Sequence, residues 1–110
     1  MEAKTIYAPG ELNCACIIHP GEMLLDELKA RNLSQRKFAG LIGCSYSVLN
    51  EVINGKRPIS TELSLKIEAA LGTPAYVWCN LQSDYDMQTA RRDKSLSAIL
   101  AKIRNAAAIL

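Results

Sequence analysis

Between Ser45 and Arg57 the chain gathers side chains suited to reading polar edges. Ser45, Tyr46, Ser47 and Asn50 carry groups that both donate and accept hydrogen bonds, whereas the Glu51 carboxylate only accepts. On one helix they would occupy the first turn and the outward face. Ser47 and Asn50 can donate and accept at base edges. Tyr46 suits a phosphate or a thymine methyl. Glu51 suits the cytosine amino group, or it repels phosphates and so sharpens selectivity; the alternative is an exposed helix surface residue with no such role. Gln35, Arg36, Asn54, Lys56 and Arg57 bracket this face and are the expected contacts to a nucleic-acid backbone. Of these Arg36, and beside it Lys37, are the weaker candidates, the alternative being a merely solvated side chain.

The charge pattern points the same way. The 110 residues carry a formal net charge of +2, which says little by itself. From Lys29 to Pro58, however, Lys29, Arg31, Arg36, Lys37, Lys56 and Arg57 stand against Glu51 alone, a local charge of +5. A basic patch confined to one segment is the footprint of a surface that meets phosphates, the competing reading being a solvated basic helix face.

Other chemistries fit poorly. With His19 as the single histidine there is no Ser-His-Asp set, and no Gly-rich phosphate-cradling loop occurs. Asp84 and Asp86 lie two apart and would diverge on a helix instead of forming an acid/base pair. Cys14 and Cys16, with His19 three residues on, lack the Cys-x-x-Cys spacing of structural zinc sites and a second ligand pair. Cys44 and Cys79 sit among apolar neighbours, as small hydrophobes do. No catalytic residue, metal or cofactor is therefore expected, and His19, beside a proline at a helix boundary, is expected to be structural.

The elements that must position these groups are helical. An apolar fraction of 49% with 5% aromatics suggests aliphatic helix packing in one domain. His19-Pro20-Gly21-Glu22 reads as a helix start, with Met23, Leu24 and Leu28 on one face as far as about Arg31. Ser34 caps a second helix, Gln35 to about Ile42, whose apolar side carries Phe38, Leu41 and Ile42. Gly43 breaks it, Ser45 caps a third helix, and Asn54-Gly55 ends that one. A fourth, after Ser60, shows Leu63, Ile67, Ala70 and Leu71 at helical spacing. Thr73-Pro74 opens a fifth as N-cap and first residue, carrying Val77, Trp78 and Leu81. A last helix from about Lys94 repeats Leu96, Leu100, Ile103, Ala107 and Leu110. The fold is expected to be all-α. Residues 1–18 read as an irregular arm. No apolar run approaches the roughly 18 residues of a membrane span, and Met1-Glu2-Ala3-Lys4 leads into no apolar signal core, so no membrane contact and a cytoplasmic location are expected.

Two short helices joined through a glycine turn, the second with a polar N-terminal face, form the geometry that lays a helix in the major groove. That groove is about 12 Å wide, so the reading helix must be exposed in front and anchored behind. Phe38, Ala39, Ile42, Cys44, Leu49 and Val52 are the expected anchors, Ala39 being small where the helices cross.

Here the sequence resembles a family. Phe38, Ala39, Ile42, Gly43, Cys44, Leu49 and Val52 fit the helix-turn-helix pattern of the lambda-repressor-like (XRE) regulators. His19-Pro20-Gly21-Glu22, Leu33-Ser34-Gln35, Ile53 to Ser60, Leu71-Gly72-Thr73-Pro74, Trp78 to Gln82 and Tyr85-Asp86 look like the HigA/VapI antitoxin group. Cys44 stands where that group often has Val, and Cys79 where Leu is common. The resemblance implies a lambda-repressor-like five-helix domain over 19–90 with a C-terminal helix at 91–110. It also implies an antitoxin that represses its own operon and silences a cognate RelE-type toxin, a ribosome-dependent ribonuclease. A stand-alone or phage-type repressor without a toxin is the alternative. Because one subunit would read few bases, a homodimer on an inverted-repeat operator is expected. Trp78, Leu81, Leu96, Leu100 and Ile103 are its expected dimer or partner surface, with packing of the last helix onto its own core as the other possibility. The arm, the first helix or the last helix would meet the toxin, with Glu22, Asp26 and Glu27 facing a basic nuclease.

Overall fold

A computed structural model describes residues 17–110. Their regular structure is six helices: α1 Pro20–Ala30, α2 Gln35–Ile42, α3 Tyr46–Ile53, α4 Thr61–Leu71, α5 Ala75–Arg91 and α6 Lys94–Ala107. No strand occurs among the described residues. Cys14, Cys16 and the expected arm as far as residue 16 lie outside them.

Local chemistry sets the helix ends. His19 is the N-cap of α1: its Nδ1 accepts from the Gly21 N–H at 2.9 Å, and the Glu22 carboxylate accepts from the His19 N–H at 3.4 Å. The histidine is thus a cap, as expected of a boundary residue. Ser34, Ser45 and Ser60 cap α2, α3 and α4 in the same manner, each hydroxyl accepting a backbone N–H at 3.1 Å. Gly43 and Gly72 close α2 and α4 in the left-handed region, at φ 70° and 86°. Helix α5 opens at Ala75, one residue later than the sequence suggests, so Pro74 precedes the helix and accepts from the Val77 N–H at 3.0 Å. Asp93 caps α6, its carboxylate accepting from the N–H groups of Ser95 and Leu96.

The helices form two compact units, the first spanning Ile18–Tyr85. Its core takes Leu24 and Leu28 from α1, Phe38, Ala39 and Ile42 from α2, and Leu49, Val52 and Ile53 from α3. Ile59, Leu63 and Ile67 complete it from the α4 side, with Trp78 from α5. Each large side chain so buried contributes about 1.5–3 kcal/mol of transfer free energy. Two expectations are corrected here. Leu41 is 65% exposed, because Phe38, Ala39 and Ile42 already define the inner face of α2 and Leu41 sits one residue, about 100°, off it. Trp78 is fully buried in its own chain's core and so offers no surface to a partner. Its indole Nε1 is buried without a hydrogen-bond partner, leaving Trp78 to act through packing. Leu81 is half-buried against the same core.

One turn beyond Trp78, on the same side of α5, Gln82 is also buried. Its Oε1 accepts from the Ile59 N–H at 2.8 Å, which fastens the α3–α4 loop to α5. Helices α1 and α3 approach closely at Gly21, where an added Cβ would lie 2.9 Å from the Ile53 Cα and closer still to the Val52 carbonyl. Only glycine lets the start of α1 sit this near the end of α3.

The described part of the second unit, Asp86–Leu110 with Ile17, holds the end of α5 and α6. No side chain of α6 is buried: Leu96 is half-buried, and Ile99, Leu100 and Ile103 are 53%, 37% and 57% exposed.

Candidate nucleic-acid interface

Helices α2 and α3 are joined only by Gly43, Cys44 and Ser45. The left-handed Gly43 turns the chain, the Cys44 N–H returns to the Ala39 carbonyl at 2.9 Å, and Ser45 starts α3. Leu49, Val52 and Ile53 hold α3 from behind. Its opposite side is turned outward, with Ser45, Tyr46 and Ser47 exposed and Asn50 and Glu51 half-buried. The structure therefore places four of the five expected base-reading residues, Tyr46, Ser47, Asn50 and Glu51, on the outward side of α3, with Ser45 at its N-terminal end. Ser45 differs from the others in that its hydroxyl oxygen already serves the Val48 N–H.

Side chains around this face form three linked arrangements. Asn54 Nδ2 donates to Asn50 Oδ1 at 3.0 Å, and Asn50 Nδ2 donates to Gln35 Oε1 at 3.0 Å, so one amide chain joins α2, α3 and the turn after it. The Arg36 guanidinium lies 4.1 Å from the centre of the Tyr46 ring, a cation–π stack that places a positive charge over the first residue of α3. Arg57, past the end of α3, binds Glu51 through Nε at 2.8 Å and Nη2 at 2.7 Å. Both members of that pair are about half exposed, so it adds little to stability, about 0–1 kcal/mol. Its effect is on charge, since it neutralises Glu51 beside the reading face.

Lys37 and Lys56 are exposed. Arg31, also exposed, is engaged away from this face. It pairs with Glu27 at 3.2 Å and donates to the Leu71 carbonyl at 3.3 Å, tying the end of α1 to the end of α4. Sequence reasoning named the residues of this face but none of their mutual contacts. The four-residue spacing of Asn50 and Asn54 carried a signal for one contact, and nothing local signals the others. Among the described residues no group of His, Cys, Asp and Glu is gathered to hold a metal ion, and no helix is long and apolar enough to cross a membrane.

The helix-turn-helix family profile matches residues 24–78, half of the chain, from within α1 to Trp78. The chain belongs to the XRE-type helix-turn-helix family. Within it, the chain is 37% identical over 78 residues to virulence-associated protein I of Dichelobacter nodosus, an alignment covering 70% of this chain and 72% of that one. It is similar to an addiction module antidote protein of the HigA family from Coxiella burnetii, with a TM-score of 0.69 and 29% identity over 83% of this chain and 95% of that one. It is also similar to the Pseudomonas aeruginosa antitoxin HigA solved with the higBA promoter, with a TM-score of 0.68 and 30% identity over 82% and 94%. In this XRE-type chain α2 and α3 are the helix-turn-helix, and α3 stands in the position of the recognition helix.

Proposed function

We propose that this chain is an antitoxin that binds operator DNA sequence-specifically as a homodimer, represses its own operon and neutralises a cognate RelE-type toxin. The observation that carries DNA binding is the outward face of α3. Tyr46, Ser47 and Asn50 project from a helix anchored by the core, with Arg36, Lys37, Lys56 and Arg57 at its edges. Base edges in the major groove are read by such hydroxyl and amide groups, while the cations and Gln35, at the dipole-positive start of α2, hold the phosphates.

Dimerisation follows from magnitude. Two or three base contacts of about 1–3 kcal/mol each give one subunit too little discrimination for a genome. Two subunits on an inverted repeat, with half-sites about one helical turn apart or a multiple of it, double it. Leu96, Leu100 and Ile103 of α6 are the proposed dimer or partner surface, supported by the lack of any buried side chain on α6; Leu81, in the first unit, is proposed as a separate partner contact. The toxin assignment is supported by the antidote relatives, and the exposed Glu22 and Asp26 with half-buried Glu27 suit a basic nuclease. Residues 1–18 are proposed as an arm, 19–90 as the DNA-binding domain and 91–110 as the contact helix, all in the cytoplasm.

Fluorescence anisotropy on duplex DNA from the chain's own upstream region, at several salt concentrations and beside a scrambled duplex, tests the central claim. Salt-steep binding that prefers the native duplex and is lost in Ser47→Ala/Asn50→Ala supports it; equal weak binding to both duplexes refutes it. Co-expression with the neighbouring small basic open reading frame tests the toxin. Rescue of growth supports neutralisation, and absence of such a frame leaves a stand-alone repressor.

A further inference from the structure

We infer that Asn50 reads an adenine, and that Gln35 and Asn54 act as positioning residues that fix which way its carboxamide faces. This rests on the DNA-binding reading above and specifies its base.

A terminal carboxamide turns easily about its last bond, and its two orientations present opposite hydrogen-bonding patterns. The amide chain removes that freedom. Asn50 Nδ2 donates to Gln35 Oε1, and Asn50 Oδ1 accepts from Asn54 Nδ2, both at 3.0 Å. Considered alone, the three amides could all be reversed together. A phosphate at the start of α2 breaks the tie, because a phosphate oxygen accepts and so takes the Gln35 Nε2 donors. Gln35 Oε1 must then face inward, Asn50 Nδ2 must face Gln35, and Asn54 must donate to Asn50. The contact to the backbone thereby sets the polarity of the reading group.

In that orientation Asn50 retains one N–H and one oxygen lone pair. Adenine presents an acceptor at N7 beside a donor at N6 in the major groove, and uses both. Guanine presents two acceptors, N7 and O6, which sets an acceptor against the Asn50 oxygen. Thymine offers O4 alone as an acceptor, and cytosine its amino group alone as a donor. Adenine is the base that satisfies the whole amide.

The full-length chain is used to select binders from a random duplex library, and the selected duplex is resynthesised with 7-deazaadenine at each adenine in turn. At one adenine per half-site, loss of N7 is expected to weaken wild-type binding about fivefold, and guanine at the same place by tenfold or more. Asn50→Ala should bind more weakly and show neither effect. Gln35→Met and Asn54→Ala should bring the adenine-to-guanine preference towards one while leaving the unfolding midpoint unchanged, an outcome that a merely structural role would not give. Insensitivity of the wild type to every 7-deazaadenine, or sensitivity that survives in Asn50→Ala, overturns the adenine assignment. A full preference in Gln35→Met overturns the positioning role. Selection that yields no preferred sequence removes the DNA-binding reading, and the assignment with it.

Discussion

Arg57 and Glu51 meet through a single carboxylate oxygen, which accepts from Arg57 Nε at 2.8 Å and lies 2.7 Å from Nη2. The pair joins the last cation of the basic run to the one acid on the recognition helix. In the free protein the Arg57 charge is therefore shared, and a phosphate that takes Arg57 must compete with Glu51 for it. Removing the acid should favour any DNA, whatever its sequence.

Glu51→Gln is accordingly expected to raise affinity for a scrambled duplex about three- to tenfold at low salt, from loss of about 1 kcal/mol of repulsion, and to narrow the margin between operator and scrambled DNA. Parallel anisotropy titrations of the two duplexes measure both. An unchanged margin would show that Glu51 has no part in selectivity.

The basic run should divide into cations that meet phosphate and one that does not. Lys56→Gln is expected to lower the slope of log affinity against log salt by about 0.9 for each subunit bound, the loss of one phosphate contact. Arg31→Gln should leave that slope unchanged, since its guanidinium is engaged by Glu27 and the Leu71 carbonyl, and should slightly lower the unfolding midpoint.

Gly21→Ala tests the α1–α3 contact. A methyl group there would collide with the Val52 carbonyl, which as backbone cannot turn aside. The expected loss is about 2–3 kcal/mol, more than the roughly 1 kcal/mol that alanine gains over glycine in a helix. Urea unfolding should show a lower midpoint at unchanged slope.

The proposed dimer surface is tested apart from the core in a paired experiment. Ile103→Asp, on the exposed face of α6, is expected to shift sedimentation from dimer to monomer at micromolar concentration. Trp78→Phe should keep the dimer yet cost about 1–3 kcal/mol of stability, through the space left in the core. A dimer that survives Ile103→Asp would place the subunit contact elsewhere.

What the sequence made legible was local. Ser34, Ser45 and Ser60 announce their helices because a cap is formed within three residues, and Gly43 and Gly72 mark ends because the left-handed turn suits glycine. What escaped it depends on distant neighbours. Trp78 and Leu81 lie on one apolar side of α5, and only the position of the core decides that Trp78 points fully inward. The bond from Ile59 to Gln82 spans 23 residues, and no periodicity encodes it. The polar residues of the α3 face were legible as types, whereas the contacts of Asn50 with Gln35 and of Arg36 with Tyr46 required two helices to be brought together.

The tight seat of Gly21 on Val52 and Ile53 also bounds what can be exchanged. A redesigned specificity can be grafted most freely at the exposed Ser47; exchanges at Tyr46, Asn50 and Glu51 also give up their contacts with Arg36, Gln35 and Arg57. At Val52 and Ile53 the end of the same helix is a casting of the start of α1, since a Cβ at Gly21 would lie 2.9 Å from the Ile53 Cα, and the turn after it brings Gly55, at φ 75°, beside His19, itself the cap of α1. The recognition helix is therefore a cartridge in its front half and a foundation in its back half, and a transplant that ignores the boundary would alter the domain together with its target.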